Sequence, residues 1–302
     1  MRLRSRLEED ELLMAIGAWD ALTARMAQQA GAEAVYMSGS CVSSSVHGGP
    51  DVGLTTLTEM TERARQMAGV LEVPLIADGD TGYGNPINVH RTVSQYEAAG
   101  VDAIQLEDQD FPKKCGHFEG KTIIPAEEFA TKIEAATDAR VDEDFLIIAR
   151  TDAVAVTGLE DALRRARLYR EAGADILFVE APTEREQMAR ITDELDAPLL
   201  VNMAAKGKTP PIPAEDLRDI GFDLAIYPSD AFKAALRTIQ ETYQTLITDR
   251  SQENVLDRMV EWGERDEITR LDAITDFEEK YADRERSYAA RYEELQSSVA
   301  GD

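Results

Sequence analysis

Carboxylates follow two apolar runs of this sequence at a spacing that suits a hard divalent cation. Asp78 and Asp80 lie two residues apart at the end of the first run, and Glu107 ends the next one. In an extended chain, side chains two residues apart face the same way. Ligand sets made only of oxygen favour Mg²⁺ or Mn²⁺ over zinc. We therefore predict a magnesium site in which Asp78 is a direct ligand, whereas Asp80 and Glu107 act through bound water.

Cys115 is the second residue with a chemistry of its own. It lies in the polar segment Lys113–His117, between two lysines and the pair Gly116-His117. A cysteine without a disulfide partner is usually a small buried hydrophobe, but neighbouring cations favour the thiolate or a poised thiol. We predict that Cys115 is reactive, whereas Cys41 has ordinary neighbours and is structural.

Eight short apolar runs are the elements that would position these residues. They are uniformly apolar, which is typical of parallel strands buried on both faces, and amphipathic stretches such as Gly158–Ala172 separate them. Eight such alternations predict a closed (β/α)8 barrel. The predicted strands are Leu13–Ile16, Ala34–Met37, Leu75–Asp78, Ala103–Glu107, Phe145–Arg150, Ile176–Glu180, Leu199–Asn202 and Leu224–Tyr227.

Polar side chains end five of these eight runs. An aspartate after a strand is usually a turn residue or a helix cap, but that explanation does not cover the whole set. Active sites of such barrels lie at the carboxyl ends of the strands. We therefore expect one site formed by the residues Asp78, Glu107, Arg150, Glu180 and Asn202.

The pattern changes after residue 248. The segments Ser251–Gly263 and Thr275–Gln296 are charged, and we predict that they are helical. Tyr281, Tyr288 and Tyr292 lie along one side of the second segment, and such a stripe favours packing against another surface. We divide the chain into a barrel domain, residues 1–248, and a C-terminal helical appendage, residues 249–302.

The chain is strongly acidic and poor in lysine. Its net charge is −26, from 58 acidic and 32 basic residues, of which only 8 are lysine. Such surfaces bind hydrated cations and stay soluble in concentrated salt, at the cost of self-repulsion in dilute buffer. The composition indicates a halophilic protein, and an ordinary acidic protein is the alternative. Nucleic acids and anionic membranes require a basic surface, so we expect neither as a partner.

Two further features of the sequence indicate the cellular compartment of the protein. No apolar run approaches the roughly 20 residues that span a bilayer, and no basic start precedes an apolar run. The chain has only 2 cysteines, which do not form a disulfide framework and suit a reducing compartment. We expect a cytoplasmic protein.

Several motifs resemble the isocitrate lyase/phosphoenolpyruvate mutase superfamily over about residues 10–245. The most specific is the five-residue segment Lys113–His117. The others are Tyr36-Met37-Ser38-Gly39, Asp78-Gly79-Asp80-Thr81-Gly82-Tyr83-Gly84, Glu107-Asp108-Gln109 and Ala149-Arg150-Thr151-Asp152-Ala153. The resemblance implies a Mg²⁺-binding (β/α)8 barrel and a homotetramer whose C-terminal helices are exchanged between subunits.

The resemblance also implies a role for each matching residue. Cys115 would protonate a carbanion, Tyr36 would be the base for the substrate hydroxyl, and His117 and Arg150 would complete the catalytic set. Asp78, Asp80 and Glu107 would hold Mg²⁺, with Mn²⁺ as a substitute. The substrate would contact Ser38, Gly39 and Ser40 with its oxo-acid half and Gly116, His117, Arg150, Glu180 and Asn202 with its succinate half.

The implied activity is retro-aldol cleavage of 2-methylisocitrate to pyruvate and succinate, or of isocitrate to glyoxylate and succinate. Phe178 and Ile226 resemble the apolar pair of 2-methylisocitrate lyases, which would hold one methyl group. Relatives commonly have a glutamate soon after the asparagine of the seventh strand, where this chain has the segment Ala204–Lys206. The alternatives are an oxaloacetate-type hydrolase or decarboxylase and a phosphonomutase-like enzyme, the latter disfavoured by Cys115.

Overall fold

The barrel is closed, as the sequence predicts. The computed structural model describes residues 3–9, 11–114, 116 and 120–299, and the chain divides into two compact units, Met1–Gln240 and Glu241–Asp302. In the first unit eight parallel strands pair in sequence order, and the last also pairs with the first. The strands are β1 Leu13–Ala18, β2 Ala34–Met37, β3 Leu75–Asp78, β4 Ala103–Glu107, β5 Leu146–Thr151, β6 Ile176–Val179, β7 Leu199–Asn202 and β8 Leu224–Tyr227.

Three of the predicted strands have boundaries that are wrong by one or two residues. β1 continues to Ala18 because its last residues pair with Tyr36 and Met37 of β2, a partner that the sequence of a single strand does not reveal. β5 is shifted by one residue, to Leu146–Thr151. β6 ends before Glu180 because Ala181, with φ of +60°, turns the chain away from the sheet.

Helices follow the strands and cover the barrel. Side-chain caps fix several of their starts, as where Asn85 accepts hydrogen bonds from the backbone N–H groups of Ile87 and Asn88. The predicted helix Gly158–Ala172 corresponds to Leu159–Glu171. In the first unit the helices are α1 Leu3–Leu7, α2 Ala21–Gln29, α3 Gly39–His47, α4 Leu57–Ala68, α5 Pro86–Ala98, α6 Ala126–Ala139, a 3-10 turn Ala153–Ala155, α7 Leu159–Glu171, α8 Arg185–Glu194 and α9 Ala214–Ile220, while α10 Asp230–Asp249 begins there.

Strand alternation separates two layers of core. Of two consecutive strand residues, one packs inside the barrel and the other packs against the helices, as for Tyr36 and Met37 of β2. Leu3 of α1 belongs to the inner cluster. Ile148 of β5 faces the barrel axis. Arg150 lies two positions later on the same strand, so it also faces the axis.

The second unit contains the end of α10, a 3-10 helix Glu253–Arg258, α11 Trp262–Thr269 and α12 Leu271–Val299. The predicted helix Ser251–Gly263 is wrong as a single element, because the backbone is extended at Met259 and at Glu261, which caps α11. The predicted helix Thr275–Gln296 lies within α12. Across the described part of the chain, no helix is both long and apolar enough to cross a membrane.

Candidate active site

A cavity of about 120 Å³ lies at the carboxyl end of the barrel. Most of the predicted site residues that the structure describes line it. The lining consists of Tyr36, Ser38, Ser40, Asp51, Asp78, Glu107, Lys113, Lys114, Gly116, Arg150, Glu180, Asn202, Ala204, Ile226, Pro228, Ser229 and Lys233. Cys115 and His117 lie outside the described residues.

Asp78, at the end of β3, is held by N–H groups. Its Oδ2 accepts a hydrogen bond from Gly39 N at 3.2 Å, and its Oδ1 accepts one from Asp80 N at 3.1 Å. A Cβ atom at Gly39 would lie 2.5 Å from Asp78 Oδ2. Only glycine therefore allows the start of α3 to approach this carboxylate so closely.

Asp80 does not follow Asp78 along an extended strand, so the spacing argument used to place it is wrong. β3 ends at Asp78, and Asp80 has φ of +49° in the turn that follows. Its Oδ1 lies 2.7 Å from Lys113 Nζ, which also lies 2.6 Å from Asp51 Oδ1. Burial raises the pKa of Asp80 to about 6, even though Lys113 acts to lower it.

Lys113 therefore pairs with two buried carboxylates, whereas its position in the sequence predicted an effect on Cys115. Its side chain is 4% exposed, and its ammonium group lies between Asp51 and Asp80. From its position in the sequence, Lys113 was expected to favour the thiolate of its neighbour Cys115. Asp51 was missed because nothing in the segment around it indicates that it meets a lysine of the loop after β4.

Glu107 and Arg150 form a buried ion pair beside Asp78. Arg150 Nη1 lies 3.2 Å from Glu107 Oε2, whereas Glu107 Oε1 has no hydrogen-bond partner among the described residues. Burial raises the pKa of Glu107 well above its usual value, with Arg150 acting in the opposite direction. This unpaired oxygen is costly to bury, and a further cation or donor would stabilise it.

Asp152 orients Arg150, and Asp108 in turn holds Asp152. Both aspartates belong to motifs quoted from the sequence, but no role was predicted for either. Arg150 donates from Nε to Asp152 Oδ2 at 2.9 Å and from Nη2 to Asp152 Oδ1 at 3.1 Å. Asp108 accepts from Asp152 N at 2.9 Å and from Thr151 Oγ1 at 2.7 Å. Burial acts to raise the pKa of Asp152, but Arg150 and Lys121 hold it below its usual value.

Tyr36 faces the cavity from β2 and is bonded to a residue that sequence reasoning missed. Its hydroxyl donates to Gln105 Oε1 at 3.0 Å, and Gln105 Nε2 donates to Asp78 Oδ1 at 3.4 Å. Burial, together with the charge of Asp78, raises the pKa of Tyr36 well above 10. Gln105 lies in the middle of β4, where the surrounding apolar residues gave no signal of a role.

A further group of cavity residues consists of Glu180, Asn202 and Gly116. Asn202 Nδ2 donates to Glu180 at 3.4 Å, and Asn202 Oδ1 has no hydrogen-bond partner among the described residues. A Cβ atom at Gly116 would lie 2.5 Å from Arg150 Nη2 and 2.9 Å from Glu180 Oε1. Gly116 therefore brings backbone directly against two of the predicted substrate-binding side chains.

Lys233, near the start of α10, adds a cation that the sequence analysis overlooked. Its Nζ donates to Ala205 O at 2.6 Å, and it lines the cavity together with Ala204 and Ser229. Its only sequence signal was a position soon after the last strand, which many surface lysines share. The altered segment Ala204–Lys206 thus lies beside a lysine.

Comparisons with known proteins show which family the chain belongs to. The family model described as phosphoenolpyruvate phosphomutase matches residues 3–247. The chain belongs to this family. The superfamily resemblance seen in the sequence is thereby confirmed.

Relatives within the phosphoenolpyruvate phosphomutase family include named lyases. The chain is 43% identical over 281 residues to 2,3-dimethylmalate lyase of Eubacterium barkeri, covering 93% of this chain and 97% of the relative. It is 41% identical to 2-methylisocitrate lyase of Aeropyrum pernix, covering 93% and 89%. A solved structure of oxaloacetate acetylhydrolase with 3,3-difluorooxalacetate superposes with a TM-score of 0.86 at 35% identity, covering 90% of this chain and 94% of the other.

The carboxylates of this family member suit a divalent cation, although side chains do not enclose one. Among the described residues, no three His, Cys, Asp or Glu side chains are placed to hold an ion together, because Lys113 pairs with Asp80 and Arg150 pairs with Glu107. The buried donors are nevertheless hard oxygens, and Glu107 Oε1 is unpaired. Mg²⁺ takes few carboxylates directly and keeps several waters, so the donor chemistry of Asp78 and Glu107 fits it.

Proposed function

We propose that this chain is a divalent-metal-dependent lyase that cleaves a carbon–carbon bond in 2-methylisocitrate, giving pyruvate and succinate, or in isocitrate, giving glyoxylate and succinate. The observation that carries the proposal is that one cavity combines two kinds of surface. Asp78 and Glu107 supply hard oxygen atoms to it, and Arg150 with Asn202 supplies carboxylate-binding donors. A hydroxy acid that splits into an oxo acid and a dicarboxylate needs both kinds of surface.

Bond cleavage requires that the substrate's hydroxyl lose its proton to Tyr36, whose own hydroxyl, bonded here to Gln105, would first release its proton to solvent. The hydroxyl oxygen becomes the carbonyl of the oxo acid, and the electron pair of the broken bond moves to the neighbouring carbon and into its carboxylate. A divalent cation held by Asp78, Asp80 and Glu107 would supply positive charge that lowers the pKa of Tyr36 and offsets charge on the oxo-acid oxygen.

Arg150 then stabilises the carbanion through its delocalised charge. Asp152 accepts from Nε and from one N–H of Nη2 of Arg150, which leaves the second N–H of Nη2 and the N–H groups of Nη1 for the substrate carboxylate and Glu107. A proton from the thiol of Cys115 adds to the carbanion carbon and completes succinate. Gly116, next in sequence to Cys115, lies against Arg150 and Glu180, at the side where this carbon would be.

Cleavage of 2,3-dimethylmalate to pyruvate and propionate is a second candidate. It uses the same chemistry on a substrate with two carboxylates instead of three. Ala204 and Ile226, which line the cavity, suit a methyl group, and the 43% identity to the Eubacterium barkeri lyase supports this candidate. Lys233 supports the tricarboxylate, because it gives the cavity a cation in addition to Arg150.

A product assay distinguishes these candidates. The purified chain is supplied with Mg²⁺ in molar KCl and offered 2-methylisocitrate, isocitrate, 2,3-dimethylmalate and oxaloacetate in separate reactions, with a chelator as the control. We expect pyruvate and succinate from 2-methylisocitrate at the highest kcat/KM, and no reaction with chelator. Faster cleavage of dimethylmalate would favour the second candidate, and consumption of oxaloacetate alone would refute the lyase proposal.

A further inference from the structure

Lys121 is a buried lysine that joins two parts of the candidate site. Its Nζ lies 2.5 Å from the carbonyl oxygen of Gly116 and 2.5 Å from Asp152 Oδ1. The side chains of Lys121 and Asp152 are 2% and 0% exposed. A charged group left without its partner at this buried position would carry a large desolvation cost.

One of these contacts reaches Arg150. Asp152 Oδ1 accepts from both Lys121 and Arg150 Nη2, and Asp152 Oδ2 accepts from Arg150 Nε. The carboxylate is thus held between two cations. Because all three groups are buried, loss of the ammonium would let the carboxylate rotate toward the guanidinium and change the direction in which Arg150 presents its free N–H groups.

The other contact fixes the backbone that lies over Arg150. Gly116 is so close that an added Cβ would lie 2.5 Å from Arg150 Nη2 and 2.9 Å from Glu180 Oε1. Its carbonyl oxygen points to Lys121. A displacement of this backbone by a fraction of an ångström would therefore alter the space between Gly116 and the guanidinium.

We propose that Lys121 is a positioning residue that fixes the backbone of Gly116 relative to the guanidinium of Arg150. In this arrangement Lys121 shapes the part of the cavity that binds the dicarboxylate half of the substrate, and it does not touch the half at Asp78. The inference rests on the proposed function, because succinate is the ligand of that part. A purely structural ion pair would instead affect both halves alike.

The test compares two inhibitors in Lys121→Met. Succinate occupies the Arg150 side, and oxalate mimics the oxo acid on the Asp78 side. We expect the inhibition constant of succinate to rise at least about tenfold, and that of oxalate to change less than about twofold, in line with loss of roughly one well-placed charged hydrogen bond. We also expect kcat to fall, because Arg150 no longer meets the carbanion correctly.

Lys132→Met is the matched control. Lys132 is also buried, at 5% exposure, and its Nζ donates to Thr81 O at 3.2 Å, so it contacts neither Gly116 nor Asp152. We expect both inhibition constants to stay within about twofold of the wild type, since no group of the succinate side has moved. A succinate effect of equal size in this control would show a general cost of removing a buried ammonium and would overturn the proposal.

Two further outcomes would overturn the positioning role. Equal weakening of succinate and oxalate in Lys121→Met would indicate a structural role, and unchanged succinate inhibition would remove any role. If Lys121→Met does not fold, Lys121→Arg replaces it, because the larger guanidinium cannot occupy the same point between two acceptors, and an unchanged ratio of the two constants would again refute the proposal. A wild type that neither forms nor binds succinate would refute the proposed function itself.

Discussion

Individual residues of the site were predictable where strand alternation and motif agree. Asp78, Arg150 and Asn202 end inward-facing rows of their strands, so their direction follows from the apolar residues two positions earlier. Partners across the barrel were not predictable. The pairing of Lys113 with Asp51 depends on how two loops meet, which is a tertiary contact without a local sequence pattern.

Replacement of Cys115 by serine exchanges one atom, sulfur for oxygen, and tests whether the thiol is the proton donor. In Cys115→Ser the hydroxyl keeps the shape but is a far weaker acid than the thiol. We expect kcat for succinate formation to fall by at least about a hundredfold, the usual worth of a positioned general acid, with little change in oxalate inhibition. Cys41→Ser is the control, since Cys41 is buried in α3. Turnover that survives in Cys115→Ser would remove Cys115 from the mechanism.

Lys233→Met tests the choice between substrates of three and two carboxylates. Methionine keeps the length and removes the charge near Ala204 and Ser229. We expect kcat/KM for 2-methylisocitrate to fall at least about tenfold, corresponding to roughly one charged contact, while that for 2,3-dimethylmalate changes little. Steady-state kinetics with both substrates provide the measurement, and equal losses would argue against a role of Lys233 in reading the third carboxylate.

At the scale of elements, the sequence predicted all eight strands because each is a short apolar run buried on both faces. Errors arose where a partner decides the boundary, as at the end of β1, which pairs with β2. Gly17 lies in this extension. A Cβ atom there would lie 2.3 Å from Pro228 O and 2.6 Å from Pro228 Cα, so glycine lets the loop after β8 cross β1.

Gly17→Ala should therefore destabilise the barrel. The contact is with backbone, which must shift, and such overpacking costs about 1–3 kcal/mol. Gly49→Ala is the matched control, because a Cβ there would meet nothing within 4 Å. Denaturant unfolding of both variants measures the difference in free energy of unfolding. Equal stability of the two variants would show that the loop and β1 are not so closely packed.

On the scale of the whole molecule, α12 exposes a long apolar stripe. Its large apolar side chains are between 47% and 72% exposed, and an exposed stripe of this extent usually marks an interface. The stripe consists of Leu271, Ile274, Phe277, Tyr281, Tyr288, Tyr292 and Leu295. We propose that a second copy of the chain covers it, in a homotetramer with exchanged C-terminal helices.

Light scattering on the eluted protein tests this assembly. We expect a mass of four chains for the wild type and a smaller species for Phe277→Glu/Tyr288→Glu, because buried unpaired carboxylates oppose association. Arg286→Glu, on the same helix but outside the stripe, should remain tetrameric. A monomeric wild type would contradict the proposal.

The net charge of −26 predicts a dependence on salt. Screening weakens repulsion among exposed carboxylates, and the Debye length falls from about 10 Å at 0.1 M to about 3 Å at 1 M salt. We expect both the thermal midpoint and the activity to rise between dilute and molar KCl. A flat response would leave an ordinary acidic protein as the better description.

Cleavage of 2-methylisocitrate in D₂O with Mg²⁺ is the most direct test of the lyase mechanism. A carbanion protonated by an exchangeable donor takes up one deuterium, and NMR of the products locates it. We predict equal amounts of pyruvate and succinate, with a single deuterium on one methylene carbon of succinate. Absence of succinate from this reaction, together with conversion of oxaloacetate to acetate and oxalate in a parallel reaction, would contradict the proposed function.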